Sequence, residues 1–370
     1  MSPYIHELAD WPEFRWDTDV VTGPLADVRY RQGRLLGHME RFGFEGRREA
    51  ELETLTVDVV KTSEIEGETL NPQQVRSSLA RRLGIDIAGT VPTDRNVEGV
   101  VEMMVDATKN YPEPLSKERL FGWHAALFPS GYSGIQKIRV GAWRDDAKGP
   151  MQVVSGPMGR ETVHYEAPAA DRVDAEMTRF IEWANREAGM DPVVNSAIAH
   201  LWFVTIHPLD DGNGRVARAI ADWVLARAEK SGQRFYSMSA QIRSERDDYY
   251  NVLEHTQKGS LDITAWLQWF IGCLHRALDN TEITLTAVLR KARFWERWRL
   301  ATLNDRQRRM LNTLLDGFEG KLTSSKWAAI TKCSQDTASR DIQGLIETGI
   351  LVKDAAGGRS TSYSLKDDTG

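Results

Sequence analysis

The sequence predicts a mainly α protein with one β-hairpin and a carboxy-terminal winged helix-turn-helix domain. Val173, Met177, Phe180, Ile181 and Ala184 recur at helical spacing, and Ile263, Trp266, Leu267, Phe270, Ile271, Leu274 and Leu278 follow the same template. Strand-like runs are few. Gln152 to Ser155 and Thr162 to Tyr165, joined across Gly156-Pro157-Met158-Gly159-Arg160-Glu161, read as one hairpin. The last seventy residues change character. Helical patterns from Asp305 through Leu315, Ser324 to Ile330 and Ser334 to Thr348 precede Ile350-Leu351-Val352, a turn at Ala356-Gly357-Gly358, and Thr361 to Leu365, the order of a two-stranded wing after a helix-turn-helix.

From the amino terminus, Pro3, Trp11, Pro12, Phe14 and Trp16 precede a mixed helical stretch from Leu25 to Arg41 that ends in Gly43 and Gly46, a small helical cap. Glu49 to Ile65 is helical, with Leu52, Leu55, Val59 and Val60 on one side, and Gly67 stops it as a left-handed residue would. Asn71-Pro72 starts another helix, and Ala197 to Ile206 and Val216 to Ala228 are two more. We place domain limits at 1–90, 91–299 and 300–370.

At 370 residues, 41% hydrophobic and 27% charged, the chain is neither disordered nor collagen-like nor of low complexity. Its 47 basic and 53 acidic residues give a net charge of -6, which argues against a protein that coats nucleic acid. Two cysteines, Cys273 and Cys333, leave no disulfide framework and no clustered thiolate metal site. With no basic-then-apolar leader at the amino terminus and no apolar run near a membrane span, the expectation is a cytoplasmic protein without a membrane partner. The twelve tryptophans are scattered and read as core or interface anchors.

The densest polar cluster is His207-Pro208-Leu209-Asp210-Asp211-Gly212-Asn213-Gly214-Arg215, between two helices. Pro208 prevents the first helix from running through, and Gly212 and Gly214 allow tight backbone, so N–H groups converge at the next helix's amino end as an anion cradle. Arg215 and Arg218 share a face of that helix's first turns, where the helix dipole repels cations and a polyphosphate would resolve the conflict. Asp211 is a hard oxygen ligand suited to Mg2+ that binds one carboxylate plus phosphates. His207 can accept a hydroxyl proton at neutral pH.

His207 to Arg218, HPLDDGNGRVAR, resembles the signature of the Fic family, H-P-F-x-D-G-N-G-R-x-x-R, with Leu209 in place of Phe. The resemblance covers roughly Arg95 to Leu278 and includes Gly141-Ala142-Trp143-Arg144. It implies a Fic-type helical bundle in 91–299 that transfers AMP, less often another phosphate-containing group, from ATP to a hydroxyl of a target protein. His207 would be the catalytic base, Asp211 the Mg2+ ligand, and Gly212, Asn213, Gly214, Arg215 and Arg218 the nucleotide-binding residues. Asn213 and Arg215 would take the α- and β-phosphates and Arg218 the γ-phosphate. The hairpin is then the flap, whose Gln152, Val153 and Val154 would pair with a target's extended segment. Tyr250 would stack on the adenine and Gln257 hydrogen-bond it.

Within 1–90, Thr62-Ser63-Glu64-Ile65-Glu66-Gly67 resembles the family's inhibitory motif. Glu66, paired bidentately with Arg218, would remove the cation intended for the γ-phosphate, so ATP would bind unproductively. Residues 305 to 368 hold ten Lys or Arg and nine Asp or Glu, a charge that does not declare DNA binding. Ser334, Gln335, Thr337, Ser339 and Arg340 fit the exposed side of a recognition helix, with Lys353 and Arg359 on the wing. DNA through 300–370 and protein docking stay equal alternatives, and the sequence leaves the oligomeric state open, a homodimer among the partners. Two other readings compete with the transferase: removal of AMP from modified proteins with Glu66 activating water, and a nucleotide-sensing DNA-binding regulator.

Overall fold

The computed structural model describes residues 4–40, 43–87, 90–147, 149–156, 160, 162–186, 189–315, 317–318, 320–354 and 361–366. Helices dominate, in the order α1 (Thr18–Glu40), α2 (Phe44–Ile65), α3 (Pro72–Leu83), α4 (Arg95–Lys109) and α5 (Lys117–Leu127). Two short hairpins follow, β1 (Tyr132–Ser133) with β2 (Gln136–Lys137), and β3 (Gln152–Ser155) with β4 (Thr162–Glu166). Then come α6 (Ala170–Asn185), α7 (Pro192–Ile206), α8 (Asn213–Glu229), α9 (Met238–Ser244), α10 (Arg246–Gln257) and α11 (Thr264–Arg297). The remainder is α12 (Asp305–Leu315), α13 (Ser324–Thr331), α14 (Gln335–Glu347), and the antiparallel pair β5 (Leu351–Lys353) and β6 (Tyr363–Leu365).

The chain divides into two compact units, Met1–Glu282 and Ile283–Gly370. In the first, α7 is the central helix. Pro192 occupies its first turn, Asp191 caps it by accepting from Val193 N at 2.8 Å, and every residue from Ser196 to Ile206 is buried. Such a helix reads as apolar on all sides because α6, α8 and α11 surround it; Trp266 of α11 donates its indole N–H to Ala197 O at 2.8 Å.

Two boundaries differ from the sequence expectation. α1 starts at Thr18 rather than Leu25 and runs through Pro24, held by Val21 and Val28, which are buried on either side of the ring. α2 starts at Phe44, ahead of Glu49, and passes through Gly46. The β3–β4 strands lie where the alternation placed them, with a bulge between Val153 and Val154; residues 157–159 and 161 of the turn lie outside the described residues. The β1–β2 hairpin has too short a pattern to be read from sequence.

The second unit takes in the last turns of α11. Met310, Leu311, Leu322, Trp327, Ala338, Ile342, Leu345, Ile350 and Leu351 form its core. Arg306 of α12 pairs with Asp341 of α14 at 2.8 Å. The turn at 356–358 and Arg359 lie outside the described residues.

Candidate functional site

The loop between α7 and α8 starts from a strained residue. Pro208 cannot continue the helix, and His207 turns left-handed, with φ 51° and ψ 56°, a region unfavourable for a residue with a Cβ. Arg144 holds it there. Its backbone N–H donates to Pro208 O at 2.9 Å, its Nε to His207 O at 2.7 Å, and its Nη2 to Pro168 O just beyond β4. His207 Nδ1 faces Val204 O at 3.1 Å, and since a carbonyl only accepts, the proton sits on Nδ1 and the lone pair on Nε2. Burial lowers the His207 pKa below 6.5, with the Val204 hydrogen bond opposing, so the ring is neutral at physiological pH.

Asn213 is held inside the loop. Its side-chain amide accepts from Leu209 N at 2.9 Å and donates to Leu209 O at 2.8 Å, so the side chain fixes the loop. Gly212 has φ 81°, and a Cβ there would stand 3.0 Å from the Phe128 ring. Phe128 also lies under Arg215, whose guanidinium carbon is 5.0 Å from the ring centre. Arg215 and Arg218 are each 2% exposed, and each keeps a donor without a partner, Nε of Arg215 and Nη1 of Arg218. Buried orphan donors on cations are costly unless an anion completes them.

Asp211 accepts from the Ser133 hydroxyl of β1 and from Gly212 N at 2.5 Å; Asp210 accepts from Arg139 N at 2.8 Å. No group of three His, Cys, Asp or Glu among the described residues is arranged to hold a metal ion. The donor set at Asp211 therefore fits a cation held mainly by phosphates and water, and does not form a protein cage.

Opposite the loop is the end of α2. Glu66 is its C-cap, Gly67 follows at φ 83°, and the N–H groups of Gly67 and Glu68 return to Glu64 O and Ser63 O at 3.1 and 3.0 Å, a Schellman arrangement. This cap presents two carboxylates. Glu66 Oε1 accepts from Arg218 Nη2 at 2.7 Å, and Glu68 Oε2 accepts from Arg215 Nη1 at 2.7 Å. The Glu66 pair has one hydrogen bond rather than the expected two: Arg218 Nε gives to Thr62 Oγ1 at 2.8 Å, Nη2 is shared with Thr62 O at 2.9 Å, and Nη1 has no partner. Burial is the largest single influence and opposes the Arg218 charge, but Glu66 together with Tyr249 and Tyr250 outweighs it and the pKa rises. Glu68 was missed in the sequence; the signal was an acidic residue on each side of the helix-stopping glycine.

Tyr250 lies on α10 with Arg246 stacked 5.1 Å from its ring centre, and Arg246 Nε donates to Ile65 O at 2.8 Å, so α10 meets the end of α2. Gln257 is buried and donates to Thr205 Oγ1 at 3.3 Å, which anchors α10 on α7. Gln152 and Val154 are exposed and Val153 is half-buried on β3. The flap is clipped to α10 by His164 of β4, whose Nδ1 donates to Glu254 Oε2 at 2.7 Å while Nε2 accepts from Ser155 Oγ at 2.5 Å, a link the sequence did not suggest.

Residues 114–225 match the Fic/DOC family model, and residues 4–85 match a domain of unknown function, DUF4172. The protein adenylyltransferase Fic of Culex quinquefasciatus is 26% identical over 243 residues, covering 63% of this chain and 43% of that protein. The protein of the same name from Drosophila ananassae is 26% identical over 236 residues, covering 63% and 42%. The match therefore spans less than half the length of these relatives. Among solved structures, a Fic family protein from Desulfovibrio desulfuricans G20 aligns over 96% of this chain and 98% of its own, with TM-score 0.57 at 20% identity. A Fic domain containing signaling protein from Bacteroides thetaiotaomicron VPI-5482 aligns over 72% and 97%, with TM-score 0.51 at 20% identity. Those two structures share the fold. The signature loop at the junction of α7 and α8 lies intact inside residues 114–225, the segment of the chain that matches the Fic/DOC family model.

Proposed function

We propose that the chain transfers AMP from ATP to a hydroxyl of a target protein and that the end of α2 restrains it. The observation that carries this reading is the pair of buried arginines at the start of α8, each with a donor still lacking an acceptor. Polyphosphate is the ligand that satisfies both together with the helix's N–H groups. The relatives named protein adenylyltransferase support ATP as the donor. His207 Nε2 takes the proton of the attacking hydroxyl, whose oxygen bonds to the α-phosphorus as the bond to the β-phosphate oxygen breaks and pyrophosphate leaves. Asp211 would hold Mg2+, which neutralises charge on the phosphates. The exposed edge of β3 would receive the target's extended segment. Purified protein incubated with lysate and ATP labelled at the α- or the γ-phosphorus tests the reaction. Incorporation of the α label alone is expected; γ incorporation, or none from either in the wild type and in Glu66→Gly, overturns it.

For residues 300–370 we infer a winged helix that engages DNA. Ser334, Gln335, Ser339, Arg340 and Gln343 are exposed along α14, and Lys353 is exposed on β5. Arg340→Ala with Lys353→Ala should weaken binding to genomic fragments and flatten its salt dependence. Absence of any shift by the wild-type chain at low salt would move the unit to protein docking.

A further inference from the structure

The Glu66–Arg218 contact leaves the other arginine of the loop to be explained. Arg215 lies in the first turn of α8, nearer the loop than Arg218, so a polyphosphate anchored on the helix's amino end meets Arg215 first. Its guanidinium is fixed: 3% of the side chain is exposed, Phe128 lies beneath it, and Nε is buried. Glu68 is the opposite. Its side chain is 45% exposed and makes a single hydrogen bond to Arg215. Arg218, by contrast, also donates two hydrogen bonds to Thr62, so its position does not depend on the carboxylate it meets.

We propose that Glu68 is a specificity-determining residue that makes recognition of the second phosphate conditional on displacing its carboxylate from Arg215. The inference rests on the nucleotide-binding reading of the loop and extends it. With one glutamate on each arginine, the two guanidinium charges are neutralised and phosphates beyond the first find no free cation. A nucleoside monophosphate held by the loop's N–H groups does not compete with Glu68; a diphosphate must. Displacement is feasible because Glu68 is solvated and attached through a cap whose backbone hydrogen bonds do not involve its side chain. The two carboxylates then act on different lengths of ligand: Glu68 on the second phosphate and Glu66 on the third.

The test is equilibrium binding of AMP, ADP and ATP to the full chain in wild type, Glu68→Gln, Glu66→Gln and Glu64→Gln, at low and high salt. Glu68→Gln keeps the shape and removes the charge. It should tighten ADP and ATP about fivefold at low salt while leaving AMP unchanged, the size of a partly exposed ion pair, and the gain should shrink with salt. Adding Arg215→Ala should abolish the gain. Glu66→Gln should tighten ATP alone, and Glu64→Gln, whose partners are Lys61 and Arg243, should do nothing. Equal tightening of AMP, or unchanged ADP in a Glu68→Gln chain that binds AMP normally, overturns the role of Glu68 and leaves the nucleotide site standing. If no variant binds any of the three, the nucleotide reading itself falls and Glu68 with it. Glu68→Ala, which must give the same ordering of ligands, excludes an effect peculiar to glutamine.

Discussion

Glu66 Oε1 occupies the space that a side chain on Gly214 would need: a Cβ built there would stand 2.2 Å from it. Gly214 is the second residue of α8, in the first turn. The absence of a side chain at Gly214 is therefore what lets α2 place its carboxylate on Arg218.

A non-additive pair of substitutions follows from that proximity. In the wild type, Gly214→Ala must displace a carboxylate held by a buried arginine and should destabilise by roughly 1–2 kcal/mol net. With Glu66→Gly already present, only Arg218 Nη1, 3.2 Å from the added Cβ, has to yield, so the same alanine should be within about 0.5 kcal/mol of neutral. Denaturant titration of the four chains reads the cycle, and equal effects of Gly214→Ala in both backgrounds would show that the two residues do not compete.

Removal of Glu66 should also release the transferase. Glu66→Gly should raise self-labelling from ATP about tenfold or more, the value of a charge-assisted hydrogen bond on a buried partner. Adding Arg218→Ala should cancel the rise because the terminal phosphate loses its cation. Glu64, paired with Lys61 at 2.8 Å and lying 3.6 Å from Arg243, is the internal control. Equal activation by Glu64→Gly would falsify the assignment of the restraint to Glu66.

Periodic and punctuating residues made most of this legible from sequence. Val173 to Ala184 and Ile263 to Leu278 fell on α6 and α11 because one face of each is buried, and Gly67 ended α2 through a left-handed turn. The loop residues are contiguous in the chain, so their convergence needed no tertiary knowledge. Partners from distant segments were hidden. Ser133 on Asp211, His164 on Glu254 and Glu68 on Arg215 each join residues more than seventy positions apart, and nothing local distinguishes them from solvated side chains. The hydrogen bonds of Asn213 to Leu209 were hidden for a related reason: a signature names the residue type, whereas these bonds depend on how tightly the loop closes.

The pH profile should report the burial of His207. Because burial lowers its pKa below 6.5, Nε2 stays unprotonated under mildly acidic conditions, and the acid limb of kcat/KM in Glu66→Gly should lie below pH 6.5. His207→Ala should abolish labelling while nucleotide affinity stays within about threefold, since the phosphate contacts belong to α8. An acid limb at or above pH 6.5 contradicts the neutral, buried ring.

Acid stability should depend on His124, buried under the loop, where burial pulls its pKa from 6.5 down to about 4. The unfolded chain takes up that proton first as pH falls, so this contribution is intact above pH 6.5 and is lost progressively between 6.5 and 4. The loss is on the order of 3 kcal/mol for this one group. His124→Asn should remove it, giving a shallower fall in unfolding free energy between pH 7 and 4.5; an unchanged slope would place the titrating group elsewhere.

Arg144 should affect chemistry without touching the ligand. Its guanidinium joins His207 O, at the base, to Pro168 O, beyond the flap, so one side chain sets both the strained backbone of the base and the point where β4 leaves the site. Lysine keeps the charge but has no second arm, and Arg144→Lys must leave one of those buried carbonyls unsatisfied, at about 1–3 kcal/mol of stability. A base displaced by a fraction of an ångström loses alignment with the attacking hydroxyl, so kcat in the Glu66→Gly background should fall about 10- to 100-fold with ATP affinity unchanged. In a chain already carrying His207→Ala, the same substitution should cost nothing further in activity while still lowering stability. A parallel loss of ATP affinity would instead assign Arg144 to the nucleotide site, and an unchanged kcat would show that His207 keeps its left-handed backbone without it.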